Sequence, residues 1–149
     1  MRLFPVLCAA LLAGCSSAPK PAPAPIDPTT EAWYPKTAQD LAAKGREAEA
    51  LFQKGEFEKA AAIVTEGQPL LNRLLSAPQP TLAALEAVSD MDDLYARMLL
   101  RNRHYGWART LFQKNVYRWK NRKPETTNSV RRLLQARTGL AECDRHIGE

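Results

Sequence analysis

Residues 48–64 read AEALFQKGEFEKAAAIV, and residues 96–112 read ARMLLRNRHYGWARTLF. Laid on one another, Ala48, Leu51, Gly55, Phe57, Ala60 and Val64 fall on Ala96, Leu99, Arg103, Tyr105, Ala108 and Phe112, each pair 48 residues apart. Helix packing gives the recurrence a physical reason. A small residue on one helix lets a second approach, an aromatic residue begins that second helix, and Ala60 or Ala108 sits where the two cross. The unit is a pair of helices joined by a tight turn, and it is used twice.

Working outward, apolar residues keep helical spacing along the chain. Leu41, Ala42, Ala48, Leu51 and Phe52 predict a first helix over 38–54. Thr37 stands three residues before Asp40, a variant of the capping box that would open it. After the turn Lys54-Gly55-Glu56, a second helix over 57–75 carries Phe57, Ala60, Ala61, Ile63, Val64, Leu70, Leu71 and Leu74. Pro69 should kink or break it, because the ring removes a backbone bond. Pro80 suits the first position of a third helix over 81–102, with Leu82, Leu85, Val88, Met91, Leu94, Tyr95, Met98 and Leu99 as its stripe. A fourth follows Asn102-Arg103-His104, buries Ala108, Leu111, Phe112, Val116 and Trp119, and ends near Lys123. A fifth over 125–146 offers Val130, Leu133, Leu134, Ala136, Leu140, Ala141 and the flanking Ile147. Good helix formers dominate and glycines are few, so the expected class is all-α with about five helices.

The small-aromatic-small pattern resembles the tetratricopeptide repeat. It is carried by Ala48, Leu51, Phe57 and Ala60, and again by Tyr95, Ala96, Leu99, Tyr105, Ala108 and Phe112, over residues 38–119. The 48-residue period exceeds the family's usual length of about 34, Glu47 stands where the family has a large apolar residue, and the repeat-ending proline is displaced. The resemblance implies antiparallel helix pairs in a right-handed array, whose concave face receives a peptide or another protein. An irregular helical bundle is the alternative.

The chain opens Met1-Arg2, runs through about ten apolar residues, and reaches Ala13-Gly14-Cys15-Ser16, the layout of a secretory signal too short to span a bilayer. Leu12-Ala13-Gly14-Cys15 resembles the lipobox of bacterial lipoproteins. That resemblance implies removal of residues 1–14 and acylation of Cys15, each buried methylene contributing about 0.8 kcal/mol to membrane attachment. Ser16 after the cysteine, by resemblance to Gram-negative sorting, implies the outer membrane facing the periplasm, with the inner membrane or the cell surface as alternatives. Residues 15–36 follow as a stalk rich in Ala-Pro, held near polyproline II, which at about 3.1 Å per residue lifts the helical domain, 37–149, roughly 50–60 Å off the bilayer. Trp33 and Tyr34 at its end are expected to dock on the first helix. Cys8 leaves with the signal and Cys15 is acylated, so Cys143 has no partner for an internal disulfide and is expected to be a buried small residue, or else a free thiol.

Charge is unevenly placed: residues 15–93 hold 7 Lys and Arg against 12 Asp and Glu, whereas residues 94–149 hold 13 against 4. An exported protein meets little nucleic acid, so the basic half points instead to anionic envelope polymer, lipid headgroups or acidic glycan, or to pairing with the acidic half. Its candidate contacts are Arg97, Arg101, Arg103, Arg109, Lys114, Arg118, Lys120, Arg122, Lys123, Arg131 and Arg132, with Trp107, Tyr117 and Tyr105 interleaved as stacking platforms. Asp90, Asp92 and Asp93 lack the loop glycine and distant ligands of a calcium site, and the two histidines, His104 and His146, have no zinc-ligand spacing, so neither a metal nor another cofactor is expected. No nucleophile elbow or phosphate loop occurs either, which argues against an enzyme. The expected function is a membrane-anchored scaffold or assembly factor for envelope proteins, the alternative an anion-binding module.

Overall fold

The structure, a computed structural model, describes residues 26–148; Cys15, the leader before it and most of the Pro/Ala-rich stalk lie outside the described residues. Five helices follow a short 3-10 turn at Pro28–Thr30: α1 Trp33–Gln53, α2 Phe57–Leu75, α3 Leu82–Arg101, α4 Tyr105–Lys120 and α5 Thr127–Ile147. The described residues contain no strand. The all-α class and the five helices are therefore as expected.

The ends of the helices differ from expectation for local reasons. Helix α1 starts at Trp33 and not at 38, so Trp33, Tyr34 and Pro35 form its first turn, where the missing N–H of proline costs nothing. Thr37 is inside the helix and caps nothing; its hydroxyl donates to the Trp33 carbonyl at 2.8 Å. Tyr34 is fully buried and donates its hydroxyl to the Leu74 carbonyl at 3.0 Å, tying the start of α1 to the end of α2. Helix α2 runs unbroken through Pro69. Thr81, and not Pro80, opens α3 by accepting from Ala84 N–H at 3.3 Å. Helix α4 ends at Lys120, three residues before Lys123. Thr126 and Ser129 close a capping box at the start of α5, at 3.1 and 2.9 Å.

The 48-residue recurrence is reproduced in the backbone. Glu56 N–H donates to the Leu51 carbonyl and His104 N–H to the Leu99 carbonyl, both at 2.9 Å; Gly55 and Arg103, between them, both have positive φ, at 80° and 61°. These are two copies of one helix-ending turn, in which a left-handed residue lets the chain reverse while the last carbonyls stay bonded. The turn folds α2 against α1 and α4 against α3; α3 also packs on α1, and α5 packs mainly on α4.

The interior has two parts. Between α1, α2 and α3 lies an apolar core that includes Leu41, Ala48, Ala60, Val64, Leu74, Met91 and Leu94. Between α3, α4 and α5 the apolar cluster is small, with Ala96, Ala108, Phe112 and Cys143 at its centre. Beside it Trp119 Nε1 donates to Ser89 Oγ at 2.7 Å and Asn115 Nδ2 to the Ser89 carbonyl at 3.0 Å.

Helix α5 is rotated from the orientation its apolar pattern suggests. Val130, Leu134 and Ile147, expected in the core, are 50, 65 and 53% exposed, and Ala141 is exposed as well. Ser129, Arg132 and Cys143 face inward, beside Ala136 and Leu140, which turn to the interior as expected. The cause is electrostatic: a guanidinium on the inner face, Arg132, satisfies two carboxylates of α3, and α4 and α5 meet through small residues.

Candidate functional site

A groove of about 1080 Å³ runs across α1, α3 and α5. Its walls come from equivalent positions of the three helices. Ala42, Gly45 and Glu49 of α1 stand 48 residues before Asp90, Asp93 and Arg97 of α3; these in turn stand 45 residues before Gln135, Thr138 and Glu142 of α5, and all nine line it. Thr81 and Thr126, also 45 apart, cap their helices in the same way and fix that register. Phe112 of α4 closes the floor under Gly139, where a Cβ would stand 2.4 Å from the ring.

The floor is charged, and its charges answer one another. Arg97 chelates Glu49 through both terminal nitrogens and donates through Nε to Asp93 at 2.9 Å. Two carboxylates thus share one guanidinium. Burial alone would lower the Arg97 pKa, yet its bonds to Glu49 and Asp93 carry it above the ordinary value. Burial raises Glu49 too, but Arg97 and Gln53 outweigh it and hold the carboxyl below its usual range. Asp93, deeper in the floor, is pushed upward by burial, and Arg97 offsets only part of that.

The sequence-derived contacts point in several directions. Arg97, Arg118 and Arg132 turn inward to carboxylates: Arg118 to Asp92 at 3.0 Å, and Arg132 to both oxygens of Asp90 at 2.7 Å and to Glu86 at 3.0 Å. The acidic run Asp90, Asp92 and Asp93 is thereby matched arginine for carboxylate, and among the described residues no group of acids, histidines and cysteines is placed to hold a metal. Arg101 stacks on the Phe57 ring at 3.8 Å, Arg109 bonds Asp144 at 2.7 Å, and Arg131, on the groove wall, bonds Gln135 at 2.9 Å. Arg103 occupies the turn and Arg122 the segment after α4. Trp107 and Tyr117 are 73 and 72% exposed, separated from the groove on the outer side of α4, with exposed Lys114 between them in sequence. These residues are not gathered on one surface.

Tyr105 is half-buried and stacks on His146, ring centroids 4.4 Å apart and planes 12° off parallel, which pins the end of α5 to the start of α4. Cys143 is buried, and burial raises its thiol pKa. Sequence reasoning passed over Gly45, Glu49, Gln135, Thr138 and Glu142. The 48-residue register, carried from the packing residues to another face of α1 and α3, leads to Gly45 and Glu49; the α5 residues needed the second, 45-residue register that the Thr81 and Thr126 caps set. No protein-family model, no curated protein and no solved structure matches this chain.

Proposed function

We propose that this chain is an exported lipoprotein, held by acyl chains on Cys15 at the periplasmic face of the outer membrane, whose tetratricopeptide-like helices form a scaffold for another envelope protein. The groove across α1, α3 and α5 receives a segment of that partner. One observation carries this reading: three alternate helices, α1, α3 and α5, contribute the same register positions to one continuous trough, whose middle row, Gly45, Asp93 and Thr138, has only short side chains. The volume, about 1080 Å³, lies just above the range of roughly 300–1,000 Å³ typical of small-molecule clefts, which favours a peptide.

Two measurements test it. A photo-crosslinking residue at Thr138, in cells, should capture the same partner segment as one at Gly45, while one at exposed Lys36 should not; random or absent adducts from both groove positions would end the scaffold reading. Cys15→Ser should release the protein from membranes into the soluble fraction, and retention on the membrane would remove the anchor.

An anion-binding role is supported more narrowly, by the exposed Trp107, Lys114 and Tyr117 of α4. Binding to purified envelope polymer that falls as salt rises, and is lost on Trp107→Ala, would favour it.

A further inference from the structure

Helices α3 and α5 start on equivalent threonine caps, so the 45-residue register lets one face be compared with the other. On α3, the positions Leu85, Ser89, Asp92 and Ala96 are all buried. Three of them meet α4: Ser89 through Asn115 and Trp119, Asp92 through Arg118, and Ala96 in the cluster with Ala108 and Phe112. The equivalent positions on α5 are Val130, Leu134, Arg137 and Ala141, and all four are exposed. Among the described residues nothing takes the place beside α5 that α4 takes beside α3. Spacings of 4, 3 and 4 put the four on one stripe, Val130 and Leu134 apolar and Ala141 small at the crossing position.

We propose that this face of α5 docks an amphipathic helix of a partner protein, seated as α4 is seated on α3 and carrying an aspartate or glutamate opposite Arg137. Charge selects the occupant. Where α3 offers Asp92 to the arginine of its covering helix, α5 offers Arg137, which has no ion-pair or hydrogen-bond partner among the described residues. The sign of the pair is reversed, so the incoming helix supplies the carboxylate. A second copy of the chain seated through the same stripe brings Arg137 toward its own kind, and like charges facing each other at a helix contact are unfavourable. The site is separate from the scaffold groove, since Arg137, Val130 and Ala141 do not line it; Leu134 alone stands on the border.

The test is a selection followed by affinity measurement. A phage library of amphipathic helices, each about 18 residues or five turns long and randomised among Asp, Glu, Lys, Arg and Gln outside its apolar stripe, is panned against the full chain. Isolates are made as labelled peptides and titrated by anisotropy against the unaltered chain, Arg137→Glu, Val130→Glu and Gly45→Arg, each checked by circular dichroism. The expected isolates carry Asp or Glu at one fixed position and lose about tenfold or more in affinity on either α5 substitution, a loss of about 1.4 kcal/mol or more, while Gly45→Arg changes nothing. Lys or Arg at that position, or affinity indifferent to Arg137→Glu, overturns the proposal. Loss confined to Gly45→Arg overturns it too, and moves the helix to the groove. Sedimentation of the chain alone adds a last outcome: a dimer dissolved by Val130→Glu would give the face to a second copy.

Discussion

Gly139→Ala is the sharpest probe of how the groove floor is built. A Cβ at Gly139 would stand 2.4, 2.5 and 2.6 Å from three atoms of the Phe112 ring, where ordinary contact is 3.4 Å or more. The ring must therefore retreat by about an ångström, and it is 1% exposed, walled by Ala96, Ala108 and Cys143. Overpacking of this kind costs typically 1–3 kcal/mol, and the upper half of the range applies because three ring atoms are struck at once. Alanine is the better helix former by about 0.8–1 kcal/mol, which works the other way. The net expectation is a loss of about 1–2 kcal/mol. Urea denaturation followed by circular dichroism reads it as a lower midpoint at unchanged slope. Phe112→Leu in the same chain should shrink the penalty, because the clash partner is gone. Gly106→Ala is the control: a Cβ there meets nothing within 4 Å, so the propensity gain acts alone and stability rises. A Gly139→Ala protein as stable as the original would refute the contact between α4 and α5 on which the groove floor depends.

Three further outcomes follow from the geometry. Arg103 holds φ at 61°, a conformation that costs an L-residue roughly 1–2 kcal/mol, so Arg103→Gly should stabilise the chain by about 0.5–1 kcal/mol in the same denaturation assay, whereas Gly55→Arg at the equivalent turn should destabilise it. Arg97→Met leaves Glu49 and Asp93 without their shared counter-ion; with side chains 18–38% exposed, solvent relieves part of the 3–5 kcal/mol of a fully buried break, leaving about 1–2 kcal/mol at pH 7. Loss of the arginine raises both folded carboxyl pKa values, so protonation restores the stability that ionisation removes. The penalty should therefore diminish between pH 7 and pH 4.5, and equal penalties at the two pH values would contradict the shared-arginine floor. Cys143 is wholly buried with its thiol pKa raised by burial, so a thiol reagent should modify it in denaturant and hardly at all in the native protein; fast native labelling would place it elsewhere.

The fold was legible where packing and turn chemistry left a repeated mark. Ala48, Ala60, Ala96 and Ala108 are all fully buried at the two crossings, and the turns at Gly55 and Arg103 repeat bond for bond. What periodicity could not supply was the rotation of α5. Ala136 and Leu140 turn inward as their spacing implies, but Val130, Leu134 and Ala141 face out, because Arg132 and Ser129 are buried by specific partners on α3 and in the cap, and a pattern of apolar letters does not see partners. The start of α1 was missed for a related reason. Tyr34 follows a proline-rich stretch and reads as part of it, yet its hydroxyl finds the Leu74 carbonyl 40 residues away. The basic half likewise looks like a binding surface in composition, and three of its arginines are spent on the acidic half of the same chain.

The two copies of the unit keep one backbone with two interior chemistries, and the exchange between them is compensated. Leu41 of α1 and Ser89 of α3 are equivalent by the 48-residue register, as are Gly67 of α2 and Asn115 of α4. In the first copy, the space beside Gly67 is filled by Leu41 Cδ1 and the methyl of Met91, so close that a Cβ on Gly67 would stand 3.3 and 3.0 Å from them. In the second, the large residue has become small and the small one large, and Asn115 reaches back to the Ser89 carbonyl at 3.0 Å. A branched apolar residue facing glycine has been replaced by a serine whose backbone carbonyl accepts from an amide, with the volume held roughly constant across the contact. Once polar, the pair draws in others: Trp119 donates to Ser89 Oγ, and Arg118 reaches both Asn115 Oδ1 and Asp92. Apolar contacts of the first kind tolerate small slides, but directional bonds among buried groups lose most of their worth when misaligned and leave costly orphans. The second unit is thus held in a single register relative to α3, and it is this unit that carries α5, the far wall of the groove.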